Sequence, residues 1–161
     1  MVIDWIVNRK PTTVGVCTGA VAGLVAITPA SGSVGLLGAS VIGMTTGIVC
    51  FFMVAVVKTK LKYDDSLDAF GVHGIGGIVG SILTGVFATR TVTGGAEGAL
   101  YGDWHQLGVQ LVATLFTIVY SAIITFILFK IVDKLVGIRV APREEEEGVD
   151  IYEHGESAYN Y

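Results

Sequence analysis

Apolar positions in this chain gather in four long runs, separated by short polar segments that carry most of the charge and the turn-forming residues. The first covers about residues 13–28, "TVGVCTGAVAGLVAIT", and is closed by Pro29 and "ASGS". The second covers about 34–57, "VGLLGASVIGMTTGIVCFFMVAVV", with no charge inside it. The third runs from about 67 to 88, and the fourth from about 106 to 136, which includes "LVATLFTIVYSAIITFILF". A helix needs about 20 apolar residues to cross a bilayer, so each run predicts a membrane-spanning helix. The fourth is longer than a crossing requires, and tilt or an extension past the membrane surface accommodates the excess. The fold expected is therefore all-α: a polytopic membrane helix bundle over residues 1–142, followed by a soluble tail over 143–161.

Basic residues orient the spans, because cytoplasmic loops near span ends are enriched in lysine and arginine. Arg9 and Lys10 precede the first run, Lys58, Lys60 and Lys62 lie between the second and third, and Lys130, Lys134, Arg139 and Arg143 surround the end of the fourth. Nine of the ten basic residues thus fall on one side, and only Arg90 falls on the other. Both ends of this chain and the 58–66 loop are expected in the cytoplasm. The opening "MVIDWIV" is too short for a span or a signal peptide and reads as the end of another element.

Composition agrees. Hydrophobic residues make up 52% of the chain and charged residues 15%, against roughly 25% charged in a soluble domain, and mean hydropathy is +0.70. Many of the 22 glycines recur every fourth residue: Gly15, Gly19 and Gly23; Ala39, Gly43 and Gly47; Gly76 and Gly80; Gly77, Ser81 and Gly85. Small residues at this spacing line one helix face and let backbones approach closely in lipid. The first three spans are expected inside the bundle, with Gly76, Gly77 and Gly80 packing the third, and the fourth at the periphery, facing lipid or another subunit.

Within the third run, "DAFGVHGIGGIVG" places His73 among glycine and aliphatic residues. In α-helical register His73 shares a face with Gly76, Gly77, Gly80 and Thr84, which points it into protein. An ionisable group at membrane depth lines a polar pathway or pairs with a partner, and imidazole near neutrality can exchange a proton or hydrogen-bond while neutral. A histidine satisfied by a neighbouring carbonyl or hydroxyl is the alternative, and both stay open on the residues alone. Asp68, at the start of the same helix, is expected to cap free N–H groups and oppose the helix dipole. A relay from Asp68 to His73 is disfavoured, since five residues is about 7.5 Å of rise and not a same-face spacing. Asp64 and Asp65 read as solvated loop charges.

No catalytic, metal or cofactor site is expected. Cys17 and Cys50 stand alone within spans without C-x-x-C spacing, His105 and His154 are too scattered for a metal triad, and no glycine-rich loop leads to "GK[ST]". A nucleophile, base and oxyanion set cannot be assembled, and no basic patch suggests nucleic acid. The tail "REEEEGVDIYEHGESAYNY" holds seven of the fourteen acids against one arginine. Four glutamates in a row suit a solvated spacer, whereas "GVDIYEHGESAYNY" mixes Val149, Ile151 and tyrosines with glycines, which leaves docking and disorder both open.

Three stretches, "GAVAGLVAITPASG", "DDSLDAFGVHGIGGIVG" and "EEGVDIYEHGESAY", in this order and at these separations, closely resemble the ammonium transporter (Amt/Mep) family, related more distantly to the Rh proteins. The resemblance covers essentially the whole chain and corresponds to the C-terminal half of a full-length member. It implies an eleven-helix fold of two inverted five-helix repeats and a long final helix, with four of those helices here. It implies a homotrimer with a pore in each subunit, ammonium or ammonia as substrate, and His73 as the second of two pore-lining histidines. Asp68 matches an acidic residue with an expected structural role. The tail resembles a regulatory region, with Gly148, Asp150, His154 and Gly155 at its recognisable positions, that contributes to docking of a PII-type signal protein. The first histidine and most of the outer ammonium site belong to the N-terminal half, which is missing here, so conduction is expected to need that half. Two other readings remain: a non-conducting sensor or PII-binding module, and a proton or cation pathway through several copies of His73.

Overall fold

In a computed structural model, residues 1–157 are described, and their regular elements are all helical, joined by turns and loops. Helix α1 is Val2–Asn8 and α2 is Thr13–Ile27. Helix α3 covers Leu36–Leu61 and α4 Phe70–Phe87. A short α5, Arg90–Thr93, leads to α6, Trp104–Leu135, and α7 is Pro142–Glu147. Among the described residues three helices, α3, α4 and α6, are long and apolar enough to cross a membrane. The first expected span is shorter: the 15 residues of α2 rise about 22 Å, less than a hydrocarbon core of about 30 Å.

The chain forms two compact units, residues 1–116 and 117–161. In the first, α2, α3 and α4 pack against one another. Their buried faces are made of Ala22, Ala26, Ile42, Thr46, Cys50, Gly76, Gly80 and Thr84. Side chains this small bring backbones together. A Cβ at Gly80 would collide with the Ala26 carbonyl and stand 2.9 Å from Ala26 Cα, and one at Gly76 would meet Val25 Cγ1 at 3.2 Å. Large apolar side chains point outward instead, among them Leu36, Leu37, Met44 and Phe52. A fold with its small residues inside and its large ones outside suits lipid, where helix association rests on close van der Waals contact.

The rows that pack differ in part from those expected. On α3 the buried row is Ile42–Thr46–Cys50, one residue before Gly43 and Gly47, and neither of those glycines would meet anything within 4 Å if given a Cβ. On α2 the row is Ala22–Ala26, with Gly23 at its flank, close to Gly43 Cα. Gly76 lies against Val25 and Gly80 against Ala26, whereas Gly77, expected to pack with them, opens onto empty space. Each helix carries several small rows, and the neighbour's position decides which one is used. The start of α6 meets α4 at Gly85, where a Cβ would lie 2.9 Å from Leu107 Cα. No residue of α6 is buried.

The opening segment is tied to the head of α2. Asp4 on α1, only 5% exposed, accepts hydrogen bonds from the Thr12 amide at 2.8 Å and its hydroxyl at 3.0 Å. The Thr12 hydroxyl in turn accepts from the Gly15 amide at 3.0 Å, which caps α2.

Gly80→Ala forces the Ala26 backbone away and should destabilise the unit by about 1–3 kcal/mol. Gly77→Ala meets no neighbour and should be neutral or stabilising by up to about 1 kcal/mol. Equilibrium unfolding in mixed micelles measures both.

Candidate functional site

The sequence-expected residues of the third run lie where α3 ends and α4 begins. Both helices widen there into π-helical turns, Met53–Lys58 on α3 and Phe70–Gly74 on α4. The two turns touch: a Cβ at Gly71 would stand 2.9 Å from Val54 Cγ2. In the connecting loop Tyr63 stacks edge-on against Phe70, ring centroids 5.9 Å apart.

The roles of the loop carboxylates are exchanged relative to expectation. Asp65, expected to be solvated, caps α4: its two oxygens accept from the amides of Ala69 at 2.8 Å, Phe70 at 3.0 Å and Gly71 at 3.3 Å. Asp68, expected to cap, instead has φ of 55° and turns its carboxylate to Lys58 Nζ at 2.6 Å. Lys58 also donates to the Asp65 carbonyl at 2.5 Å. The chain must double back between residues 65 and 69, and only the earlier aspartate then sits under the free amides. Lys58 was missed because it reads as a positive-inside loop charge. Its signal was its place at the end of an otherwise uncharged run.

His73 is exposed within this chain, which corrects the expectation that it shares the close-packed face with Gly76, Gly80 and Thr84. The π-turn supplies the reason. In an α-helix the residues three and four back lie beneath a given position, so His73 and Val72 would lie beneath Gly76. With i→i+5 bonding, seen in the Ile75 amide donating to the Phe70 carbonyl, the residues beneath are four and five back. Val72 and Gly71 are accordingly buried, and His73 is turned out. The Cys50 thiol lies 3.7 Å from the Val72 carbonyl and donates to it, closing the packed side of this turn. His73 therefore sits on the open side of α4, as Gly77 does.

In the second unit the glycines of the tail have conformational work. Gly148 and Gly155 adopt φ of 109° and 64°, at either end of a π-helical turn, Asp150–His154. The Asp150 carbonyl accepts from the Glu156 amide at 3.1 Å, and the His154 side chain is exposed. Upstream, Pro142 opens α7, the Glu144 carboxylate accepts from the Ala141 amide at 3.0 Å, and Arg139 grips both oxygens of Glu145 at 2.6 and 2.9 Å. The last part of the expected tail, 158–161 with Tyr159 and Tyr161, lies outside the described residues. Among the described residues no three His, Cys, Asp or Glu side chains gather as a metal site.

Comparison with known proteins gives this arrangement its context. Residues 1–159 match the Ammonium Transporter Family. The chain belongs to that family. It is 50% identical over 160 residues to an ammonium transporter of Aquifex aeolicus and 48% identical to one of Bacillus subtilis, each over 99% of this chain. It covers only 37% and 40% of those proteins' lengths. The crystal structure of Mep2 from Saccharomyces cerevisiae superposes with a TM-score of 0.81 at 38% identity, over 89% of this chain and 34% of that one. The helical membrane fold expected from the sequence is the fold of these family members, and their names describe transporters rather than enzymes.

Asp65→Ala leaves three amides at the head of α4 without their acceptor and should cost about 0.5–2 kcal/mol, with faster hydrogen exchange at Ala69, Phe70 and Gly71 as the direct readout. In the tail, the hydrogen bond from Arg139 holds the Glu145 carboxyl below the usual glutamate range. Because the folded value is depressed, this tie is fully present above the ordinary carboxylate range and is lost as pH falls through the lowered value. Carboxyl carbon NMR of Glu145 should titrate at lower pH than in Arg139→Gln.

Proposed function

We propose that this chain is the C-terminal part of a transporter that moves ammonium or ammonia across the cell membrane, and that His73 lines its pore. The observation that carries this reading is the position of His73. It stands exposed on the open side of an apolar helix, next to open Gly77, in a chain that matches its family along nearly its full length but spans little more than a third of its relatives. That open side suits a surface completed by the N-terminal half, which brings the rest of the pore wall.

The physical chemistry follows from the setting. A dry, apolar passage opposes an ammonium ion and admits neutral ammonia. Ammonium gives up a proton on entry, and ammonia crosses while the His73 imidazole, in its neutral form, offers one donor and one acceptor to the passing molecule. The proton either returns or crosses by a separate route. The distribution of basic residues supports a cytoplasmic position for both ends of this chain in a multi-pass protein. The exposed α6 faces lipid or a neighbouring subunit of a homotrimer. The acidic tail, with its glycine-bounded turn at Gly148, Asp150, His154 and Gly155, serves as the regulatory segment and contributes to a docking surface for a PII-type signal protein.

Liposomes carrying this chain with a complementary N-terminal half should show an ammonium-driven current and lumenal pH change, and His73→Ala should lower the flux at least about tenfold. Ammonium-specific flux from the 161 residues alone would overturn the half-pore reading and demand a pathway built across copies.

A further inference from the structure

Two anchors hold α4 at different points, and the π-turn lies between them. At the packed end, Gly80 is wedged against the Ala26 backbone and Gly76 against Val25, which fixes the rotation of the helix from residue 76 onward. At the other end, Asp65 binds the amides of residues 69–71, and the Asp68 carbonyl accepts from the Val72 amide at 2.9 Å. Lys58 ties this head to α3, with one ammonium group bonded to both the Asp65 carbonyl and the Asp68 carboxylate. The Lys58 and Asp68 side chains are each 27% exposed, so the pair is partly withdrawn from solvent.

A continuous α-helix between these anchors would bring His73 beneath Gly76 and onto the packed side, as the spacing of the sequence alone implies. The wider turn instead buries Gly71 and Val72 and turns His73 out. A π-turn is a rare conformation, found mostly as a single turn at functional sites, and something must hold it. We infer that Lys58 is a positioning residue: by clamping the Asp65–Asp68 loop to the end of α3, it keeps Phe70–Gly74 in the π register and so sets the direction in which the His73 imidazole points. The first half of this inference concerns the chain itself; its consequence for flux rests on the pore role proposed for His73.

Thiol labelling reads the register directly. In the 161-residue chain with Cys17→Ser, where Cys50 is buried, cysteine is introduced as Val72→Cys or His73→Cys and labelled with a water-soluble thiol reagent in micelles. Position 73 should react and position 72 should be protected. Lys58→Met should abolish or reverse that preference, and Lys58→Arg, which keeps a cation able to reach both acceptors, should retain it. Asp68→Asn breaks the same pair from the other side and should act as Lys58→Met does, and circular dichroism confirms that each variant remains helical. An unchanged preference in helical Lys58→Met and Asp68→Asn overturns the inference. In liposomes with the complementary half, Lys58→Met should lower flux about tenfold or more when His73 is present and change it little in a His73→Ala background. An equal loss in both backgrounds overturns positioning through His73. A lost labelling preference with unchanged flux upholds the clamp and overturns the pore role of His73 instead.

Discussion

The close approach of α4 to α2 at Gly80 and Ala26 is the constraint on which the first unit depends. No apolar side chain can intervene there, because the space between the two backbones is smaller than a methyl group. In water such a contact would add little to hydrophobic burial. In lipid, where tails solvate leucine as well as protein does, helices gain by meeting closely enough for backbone atoms to touch. The buried set of Ala22, Ala26, Ala30, Cys50 and Ala88 follows from it, with Ile42 the largest side chain fully enclosed. The loop after α4 obeys the same economy of space. Gly98 lies against the Val86 carbonyl, and its amide donates to the Ala88 carbonyl at 2.8 Å.

A helix pinned so firmly at one point has little freedom to adjust at its start. The head of α4 is held by polar groups whose positions come from α3 and the loop, not from the Gly80 contact. Two independent constraints on one helix rarely agree in phase, and an extra residue in one turn is the least disruptive way to reconcile them. The matching π-turn at the end of α3, with Val54 against Gly71, places the adjustment on both sides of the same contact. Gly71 belongs there for a local reason, since a side chain would drive the two turns apart.

Much of this was legible in the sequence, and the parts that were not share a cause. Hydrophobic run lengths located the long helices, because span length is set by membrane thickness. Four-residue spacing found Gly76 and Gly80, but it also nominated Gly43, Gly47 and Gly77, which stand open. Periodicity states which residues share a face and is silent about which face meets a neighbour. The assignment of Asp68 as a cap failed similarly: proximity to the apolar run favoured it, while the fold of the loop brought Asp65 under the free amides. His73 was misplaced because the α-helical period was carried through a turn that does not obey it. The motif-level resemblance was insensitive to all of this, since it depends on residues in order and not on their phase.

The open side of α4 carries an energetic implication of its own. At the helix head Lys58 pairs with Asp68 and Asp65 with three amides, while the buried Tyr63 hydroxyl has no hydrogen-bond partner among the described residues. Among the described residues no side chain hydrogen-bonds the His73 imidazole. An imidazole at membrane depth facing hydrocarbon would lose its water without replacement, at a cost of roughly 2–7 kcal/mol for an unpaired polar group. That cost does not arise where protein covers the face and supplies a polar partner. Gly77 leaves one flank of that imidazole open, so whatever covers the face can approach the helix backbone there, whereas the Phe70 ring lies against Gly74.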